Sequence, residues 1–440
     1  MPYKVYFLSL GCAKNQVNCE QMMSLVQSAG HEIVASPTTA DVAVVNTCGF
    51  LASACEEAID HVLELAELKQ AGSLKKILVT GCMAQRYKAD VLNELPEIDG
   101  ILGTGSYGDI VQAISETMEI GLRPCHLGNI HTAPQNGPRI LSTPPWFAYL
   151  RIAEGCDNHC AYCVIPSLRG KYRSRPMREL LDEASELASA GVQELLVIAQ
   201  DITRYGTDLN GEHQLAALLR ELCKLDFHWI RLHYLYPDEI TSELIDVIAS
   251  EEKILPYLDI PIQHCDDAIL KSMNRRDTKD SICALFQTLR RRIPGLVLRT
   301  SLIAGLPGEG DAEFEELCQF LREQKIERAG VFPFSPEEGT RAAQMDHVGE
   351  EEAARRAEIA VDVQSDVIDE YNESVLGAER EVLCEGFDGQ AQMFYGRSYA
   401  ESPEIDGRIY FSAEEEPEPG SFVMVRLTGV MDGELTGERI

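Results

Sequence analysis

The chain is 440 residues long, 45% hydrophobic and 25% charged, an ordinary globular composition with material for roughly three domains. Its 71 acidic residues against 39 basic ones leave a net charge of −32, a field that repels a phosphate backbone and suits either a basic partner or plain solubility. No run of about 18 apolar residues is present to span a membrane, "MPYKVYFLSLGC" lacks a signal-peptide pattern, and the fourteen cysteines point to metal or redox chemistry in a cytoplasmic protein, not to a disulfide scaffold.

Residues 1–130 alternate short apolar runs with helical periodicity. "KVYFLSL" (4–10), "DVAVVNT" (41–47) and "KKILVTG" (75–81) read as buried parallel strands, and "QMMSLVQSAG" and "ACEEAIDHVLELAEL" read as the helices between them. This grammar predicts an α/β domain with a doubly wound parallel sheet. The proline-bearing stretch "GNIHTAPQNGPRILSTPP" (128–145) predicts a connector, placed at 131–146.

From 147 to 345 the alternation resumes. Expected strands lie at 147–153, 194–200, 229–235, 257–263, 297–305 and 329–335, with helices such as "MRELLDEASELASAG" between them. Six such units fit a full or partial TIM-like β/α barrel, whose chemistry sits on the loops after each strand. A charged helix follows within 346–377. The last part, 378–440, has short alternating runs separated by Gly, Pro and acid, so a small β-barrel is expected.

The most informative stretch is "RIAEGCDNHCAYCVIP" (151–166), with Cys156, Cys160 and Cys163 at C-x3-C-x2-C. These offsets also fit one helix face. However, "EGCDN" makes a turn directly after the expected strand, and Pro166 stops a helix soon afterwards. A closed zinc site wants four ligands, commonly two C-x2-C pairs, and the adjacent positions His159 and Cys160 do not readily converge on one tetrahedral ion. Three thiolates suit an iron–sulfur cubane with one iron left open to substrate.

"CDNHCAYC" resembles the signature of the radical S-adenosylmethionine enzymes, whose three cysteines hold a 4Fe–4S cluster. The resemblance implies that the open iron chelates the amino and carboxylate groups of S-adenosylmethionine, which one electron splits to a 5′-deoxyadenosyl radical. It places Tyr162 against the adenine. "TSLIAGLPGE" (300–309) is similar to the superfamily's later S-adenosylmethionine-binding strand, which implicates Ser301, Gly305 and Gly308; both glycines let backbone approach a ligand. Gln200 and Asp201 are expected beside the methionine moiety. "GLPGEGD" departs slightly from the usual form of that turn.

A second triad follows from fold grammar. Cys12, Cys48 and Cys82 each come directly after an expected strand of the first domain, at the carboxyl edge where open α/β sheets bind ligands. A single buried cysteine is ordinarily inert core, but three at equivalent strand ends predict a second metal site, with Cys19 and Cys55 as nearby decoys. "SLGCAKN…NTCGF…GCMAQR" followed by the C-x3-C-x2-C loop resembles the methylthiotransferases along essentially the whole chain. Members carry two 4Fe–4S clusters, a radical S-adenosylmethionine barrel and a final β-barrel called TRAM, and turn an unactivated C–H into C–S–CH3.

One branch of that family modifies a tRNA adenosine, the other the β-carbon of an aspartate in ribosomal small-subunit protein twelve. Residues 375–440 hold fourteen Asp and Glu against five Arg and no Lys. A nucleic-acid barrel needs a basic groove, whereas this one would attract a basic ribosomal protein. "SLGCAKN", "WIRLHYLYP" and "GRSYAESPEIDG" also look like the protein branch. The resemblance further implies an electron donor such as flavodoxin or ferredoxin; no motif specifies the sulfur donor. The contrasting class is a non-catalytic iron–sulfur electron carrier or scaffold, with its clusters fully ligated by protein. "KYRSRP" (171–176) and Arg275–Arg276 are basic stretches that could hold the substrate aspartate.

Overall fold

The computed structural model describes residues 2–133 and 136–440; Pro134 and Gln135 of the predicted connector lie outside the described residues. The first sheet has six parallel strands, β1 (Lys4–Ser9), β2 (Glu32–Val34), β3 (Val42–Thr47), β4 (Lys76–Gly81), β5 (Gly100–Leu102) and β6 (Cys125–His126), in the order β2-β1-β3-β4-β5-β6. Helices α1 (Ala13–Ser28), α2 (Ala52–Gln70), α3 (Cys82–Tyr87), α4 (Ala89–Glu94) and α5 (Ile110–Ser115) complete this layer. β3 is buried at every position, which is why "VAVVNT" is rich in β-branched residues with no exposed polar alternation. The register pairs Ser9 with Asn46 and Asn46 with Thr80, so β1, β3 and β4 end level with one another.

The second sheet is also parallel: β7 (Phe147–Arg151), then β10 (Glu194–Ile198), β11 (Trp229–Leu232), β12 (Ile254–Asp259), β13 (Val297–Ala304) and β14 (Arg328–Pro333), adjacent in chain order. The two-residue strands β8 (Ala153–Glu154) and β9 (Arg173–Ser174) form a separate antiparallel pair between β7 and β10. With six strands and two free edges, the TIM-like unit is a partial barrel. Ala148, Leu150, Leu195, Val197, Ile230 and Leu232 pack outward into the helices. By the period of two, Tyr149, Glu194, Leu196, Arg231, Tyr257 and Arg299 turn inward. β11 stops before the predicted 235 because Tyr234 takes a left-handed φ of 65°, and β12 stops at Asp259 ahead of Pro261, which cannot donate to a ladder.

The chain ends in a closed five-stranded barrel of β15 (Glu379–Asp388), β16 (Met393–Arg397), β17 (Ile409–Ser412), β18 (Phe422–Met431) and β19 (Glu434–Arg439). The 25-residue helix Glu350–Ser374 leads into it. The segment after β16, residues 398–406, inserts into the amino-terminal opening of the partial barrel. There Arg397 pairs with Glu194 at 2.8 Å, Arg231 donates to the Tyr399 carbonyl at 2.8 Å, and Tyr257 donates to Asp406 at 2.6 Å. Buried polar groups of both units thus satisfy one another. Part of the terminal barrel's acid is consumed in this floor, while Glu414, Glu415, Glu416 and Glu418 stay exposed.

His233 belongs to the floor, bonded through Nε2 to the Ser402 hydroxyl at 2.9 Å. Burial, helped by the Arg231 and Arg299 charges and opposed by Asp259 and Asp406, pushes its pKa down to about 4. The unfolded chain takes up this proton near pH 6.5, the folded one only near 4. Stability is therefore lost as pH falls through that interval and is unaffected above it. His233→Gln is expected to flatten the pH dependence of urea unfolding between about 6.5 and 4 by on the order of 1–3 kcal/mol. An unchanged slope would contradict this role.

Candidate active site

Cys12 is the N-cap of α1, Cys48 follows β3, and Cys82 opens α3 directly after β4. The level strand ends bring the three loops into contact. A Cβ on Gly11 would lie 2.9 Å from the Cys48 Cβ, and one on Gly49 would lie 2.5 Å from the Cys82 carbonyl carbon. Gly11 also has φ +91°, so both conformation and space demand glycine there. Asn15 ties the loops together: its amide donates to the Thr47 carbonyl at 2.9 Å, and its Oδ1 accepts from the Cys82 thiol at 3.8 Å.

Electrostatics distinguish the three thiols. Burial raises the Cys82 thiol to about 11 and raises Cys48 as well. For Cys12, desolvation is outweighed by Lys14, Arg169 and the Asn15 and Lys14 amides, and the net shift is downward. Of the decoys, Cys55 donates to the Cys48 carbonyl at 3.7 Å, and Cys19 is buried with its thiol pushed up to about 12.

The other triad sits on the loop after β8. Gly155 has φ +81°, and a Cβ there would meet the Lys171 carbonyl at 2.1 Å, so any side chain would displace the turn that starts the loop. Asn158 donates to Asp201 at 2.9 Å, Asn274 donates to the carbonyls of Asn158 and His159 at 3.1 and 3.0 Å, and the Ala161 amide bonds the Met273 carbonyl at 2.9 Å. The loop is held from β10, from residues 273–274 and from its own turn. Burial pushes Cys156 up to about 12 and Cys163 higher still, and Cys156, Cys160 and Cys163 repel one another as thiolates. The amides of Asn158 and Ile165 face the Cys156 and Cys163 sulfurs and favour the ionised form. His159 is exposed with φ 50°. Among the described residues no three Cys, His, Asp or Glu side chains are grouped as a single ion requires; thiolates around a cubane stand further apart than those around one tetrahedral ion.

The remaining predicted residues fall around this loop. Tyr162 packs with Leu306, Ile303 and Met273, so the ring and the Gly305–Gly308 turn share one apolar wall. Gln200 donates to Glu154 at 2.8 Å, and its buried Oε1 has no hydrogen-bond partner among the described residues. Asp201 is 1% exposed, and both its oxygens are occupied, by Asn158 and by Thr203; it holds the loop instead of facing the mouth. Ser301 lies on the inward face of β13. What Gly305 makes room for is Ala353, whose Cβ would stand 2.7 Å from an added Cβ, whereas Gly308 borders open space and needs glycine for its φ of +93°. Cys265 is fully buried in the barrel core. Most of the basic stretches is engaged: Arg276 is bonded by Asp238 and Glu239, Arg275 by the Pro261 carbonyl and Asp277, Arg175 by Glu183, and Arg173 by the Arg169 carbonyl, while Lys171 is exposed.

One residue that no spacing rule points to ties the first triad to the barrel. Arg169, the last residue of α6 (Ile165–Arg169), follows the barrel cysteines directly. Its guanidinium donates to Asn15 Oδ1, to Asn18 Oδ1 at 2.9 Å and to Glu154 at 3.2 Å. Glu154, in turn, takes Arg151 at 2.8 Å and Gln200. Despite desolvation, the Arg169 and Arg151 charges hold the Glu154 carboxyl at about 2. A continuous chain of bonds thus runs from Cys82 through Asn15, Arg169 and Glu154 to Gln200. Arg169→Met is expected to destabilise the apo-protein by about 3–5 kcal/mol in urea unfolding, because Glu154 keeps its charge and loses a partner. Arg169→Lys is expected to recover part of this.

Residues 150–321 match the Radical SAM superfamily, residues 376–440 the TRAM domain, and residues 4–103 an uncharacterised protein family, UPF0004. In fold the chain is similar to TsrM, a radical S-adenosylmethionine methyltransferase from Kitasatospora setae, with a TM-score of 0.58 at 14% identity over 78% of this chain and 77% of that one. These likenesses define a radical S-adenosylmethionine enzyme, which uses S-adenosylmethionine and a 4Fe–4S cluster. In sequence it is 45% identical over 437 residues, 99% of either chain, to the ribosomal protein uS12 methylthiotransferase RimO of Lachnoclostridium phytofermentans. It is 46% identical over 445 residues to the protein of the same name from Pelotomaculum thermopropionicum, with both chains covered in full. The chain belongs to the uS12 methylthiotransferase family.

Proposed function

We propose that the chain places a methylthio group on the β-carbon of an aspartate in ribosomal protein uS12, using a 4Fe–4S cluster at Cys156, Cys160 and Cys163 and a second at Cys12, Cys48 and Cys82. What supports this reading is the packing of Cys82 against Val164 and Leu168, next to the barrel cysteine loop, across a seam held by Arg169. Three thiolates at each site leave one iron of a cubane open. When bound, the barrel cluster with S-adenosylmethionine supplies the radical that takes a hydrogen atom, and the second cluster supplies the sulfur.

The protein's own groups divide the remaining work. The unpartnered Gln200 Oε1 is a buried acceptor, suited to the amino group of the methionine moiety. Tyr162 and the wall behind it form an apolar platform for adenine, with Ser301 and the Gly305–Gly308 turn along the same rim. Asp201 and Asn158 fix the cysteine loop. Arg169 favours thiolate charge at Cys12 and Cys82, and the Asn158 and Ile165 amides favour it at Cys156 and Cys163. The exposed Glu414–Glu418 run suits a basic ribosomal protein and disfavours nucleic acid as the direct substrate.

Among the described residues no helix is long and apolar enough to cross a membrane; a ribosomal substrate supports a cytoplasmic reaction. An electron donor of the flavodoxin or ferredoxin kind completes the system. Reconstituted, reduced enzyme incubated anaerobically with S-adenosylmethionine, uS12 and tRNA is expected to add the mass of one methylthio group to a uS12 aspartate. Modification of the tRNA alone would overturn the assignment.

A further inference from the structure

Beside the first cysteine triad, one buried cation has no carboxylate partner among the described residues; its charge also favours the nearby Cys12 thiolate. Lys14 lies two residues beyond Cys12 and is 7% exposed. Among the described residues no carboxylate or other acceptor lies within ion-pair or hydrogen-bond reach of its ammonium; its neighbour is the Tyr234 ring, whose centroid is 3.2 Å from Nζ. The other cations of the seam are engaged, Arg169 by Asn18 and Glu154, and Arg139 by Glu20 and Glu183. An ammonium taken out of water without a counter-charge is costly, and such groups mark places where an anion arrives.

The surroundings are built to hold this cation in place. Ala13 and Val17, on the same turns of α1, pack against Phe147, Tyr149, Leu196, Ile198 and Tyr234, so this end of α1 seats on the inward face of the barrel. Tyr234 lies just past the carboxyl end of β11, in a left-handed conformation that a tyrosine rarely adopts. Its amide donates to Asp259 at 3.0 Å, which fixes the turn and presents the ring beneath Lys14. A cation held over an aromatic face keeps its donors free for a ligand on the other side.

We propose that Lys14 binds the side-chain carboxylate of the protein substrate and so selects an acidic side chain over its amide. The inference rests on the functional reading above and deepens it. It gives the substrate a counter-charge within a strongly acidic protein, beside the site that delivers sulfur. Arg275 and Arg276, already paired, are not available for the task.

The test is equilibrium binding of reconstituted holoenzyme to uS12 carrying either the modified aspartate or asparagine in its place. Wild type is expected to prefer aspartate on the order of tenfold or more, the range of a charge-assisted hydrogen bond. Lys14→Met is expected to bind both forms equally, with unchanged iron content, and Lys14→Arg to restore part of the preference. A preference that survives in Lys14→Met overturns the proposal. So does loss of the amino-terminal cluster's iron in that variant, which would make Lys14 a support for the Cys12 thiolate. If wild type neither binds nor modifies uS12, the functional reading fails and this inference with it. If wild type modifies uS12 while Lys14→Met still discriminates, the inference alone fails.

Discussion

Replacing Cys156, Cys160 and Cys163 together with alanine is expected to abolish formation of 5′-deoxyadenosine, to below about one part in a thousand of wild type, while the protein stays folded. The three thiols line one loop that is fixed by Asn158, Asp201, Asn274 and Met273, none of which the substitutions remove. Burial disfavours the thiolate forms of Cys156 and Cys163, so the loop gains little stability from them until iron is bound. About half of the iron should disappear with the triad, since each cubane contributes equally. Chromatographic assay of 5′-deoxyadenosine and an iron titration read both effects. Persistent cleavage of S-adenosylmethionine would move the radical site elsewhere.

The matching variant, Cys12→Ala with Cys48→Ala and Cys82→Ala, is expected to separate the two halves of the reaction. It should keep S-adenosylmethionine cleavage, lose about half of the iron, and lose methylthio transfer to uS12 altogether. The separation follows from topology: these cysteines terminate β1, β3 and β4 of their own sheet, and the barrel loop owes none of its hydrogen bonds to them. Arg169 and Asn15 remain to hold the seam. Cleavage lost together with transfer would show that the two sites do not act independently.

The sequence pattern carried the large elements because burial imposes it. Strands such as β3 and β10 are buried at every residue, which leaves runs of branched apolar side chains that no loop would keep. β2, β5 and β6 have three, three and two residues, too few for any period to register. The floor of the barrel was illegible for a different reason. Arg397 meets Glu194, and Asp406 meets Tyr257, across separations that only the finished topology closes.

The same division holds within the site. Cysteines are rare and reactive, so their spacing and their positions after strands were informative. Arg169, Glu154, Asn15 and Lys14 are ordinary surface residue types, and only the structure shows that they are buried at the seam between the first sheet and the barrel. Tyr162 lies next to the glycine turn because both line one apolar wall. The partners of Arg275 and Arg276 were not legible, because composition shows a charge and hides what pairs with it.

The most direct test of the account is the iron and sulfide content of anaerobically reconstituted wild type, measured together with its Mössbauer spectrum. Two cubanes predict about eight irons and eight sulfides per chain, all in 4Fe–4S form. A single cubane, or tetrahedral zinc at Cys12, Cys48 and Cys82, would contradict it.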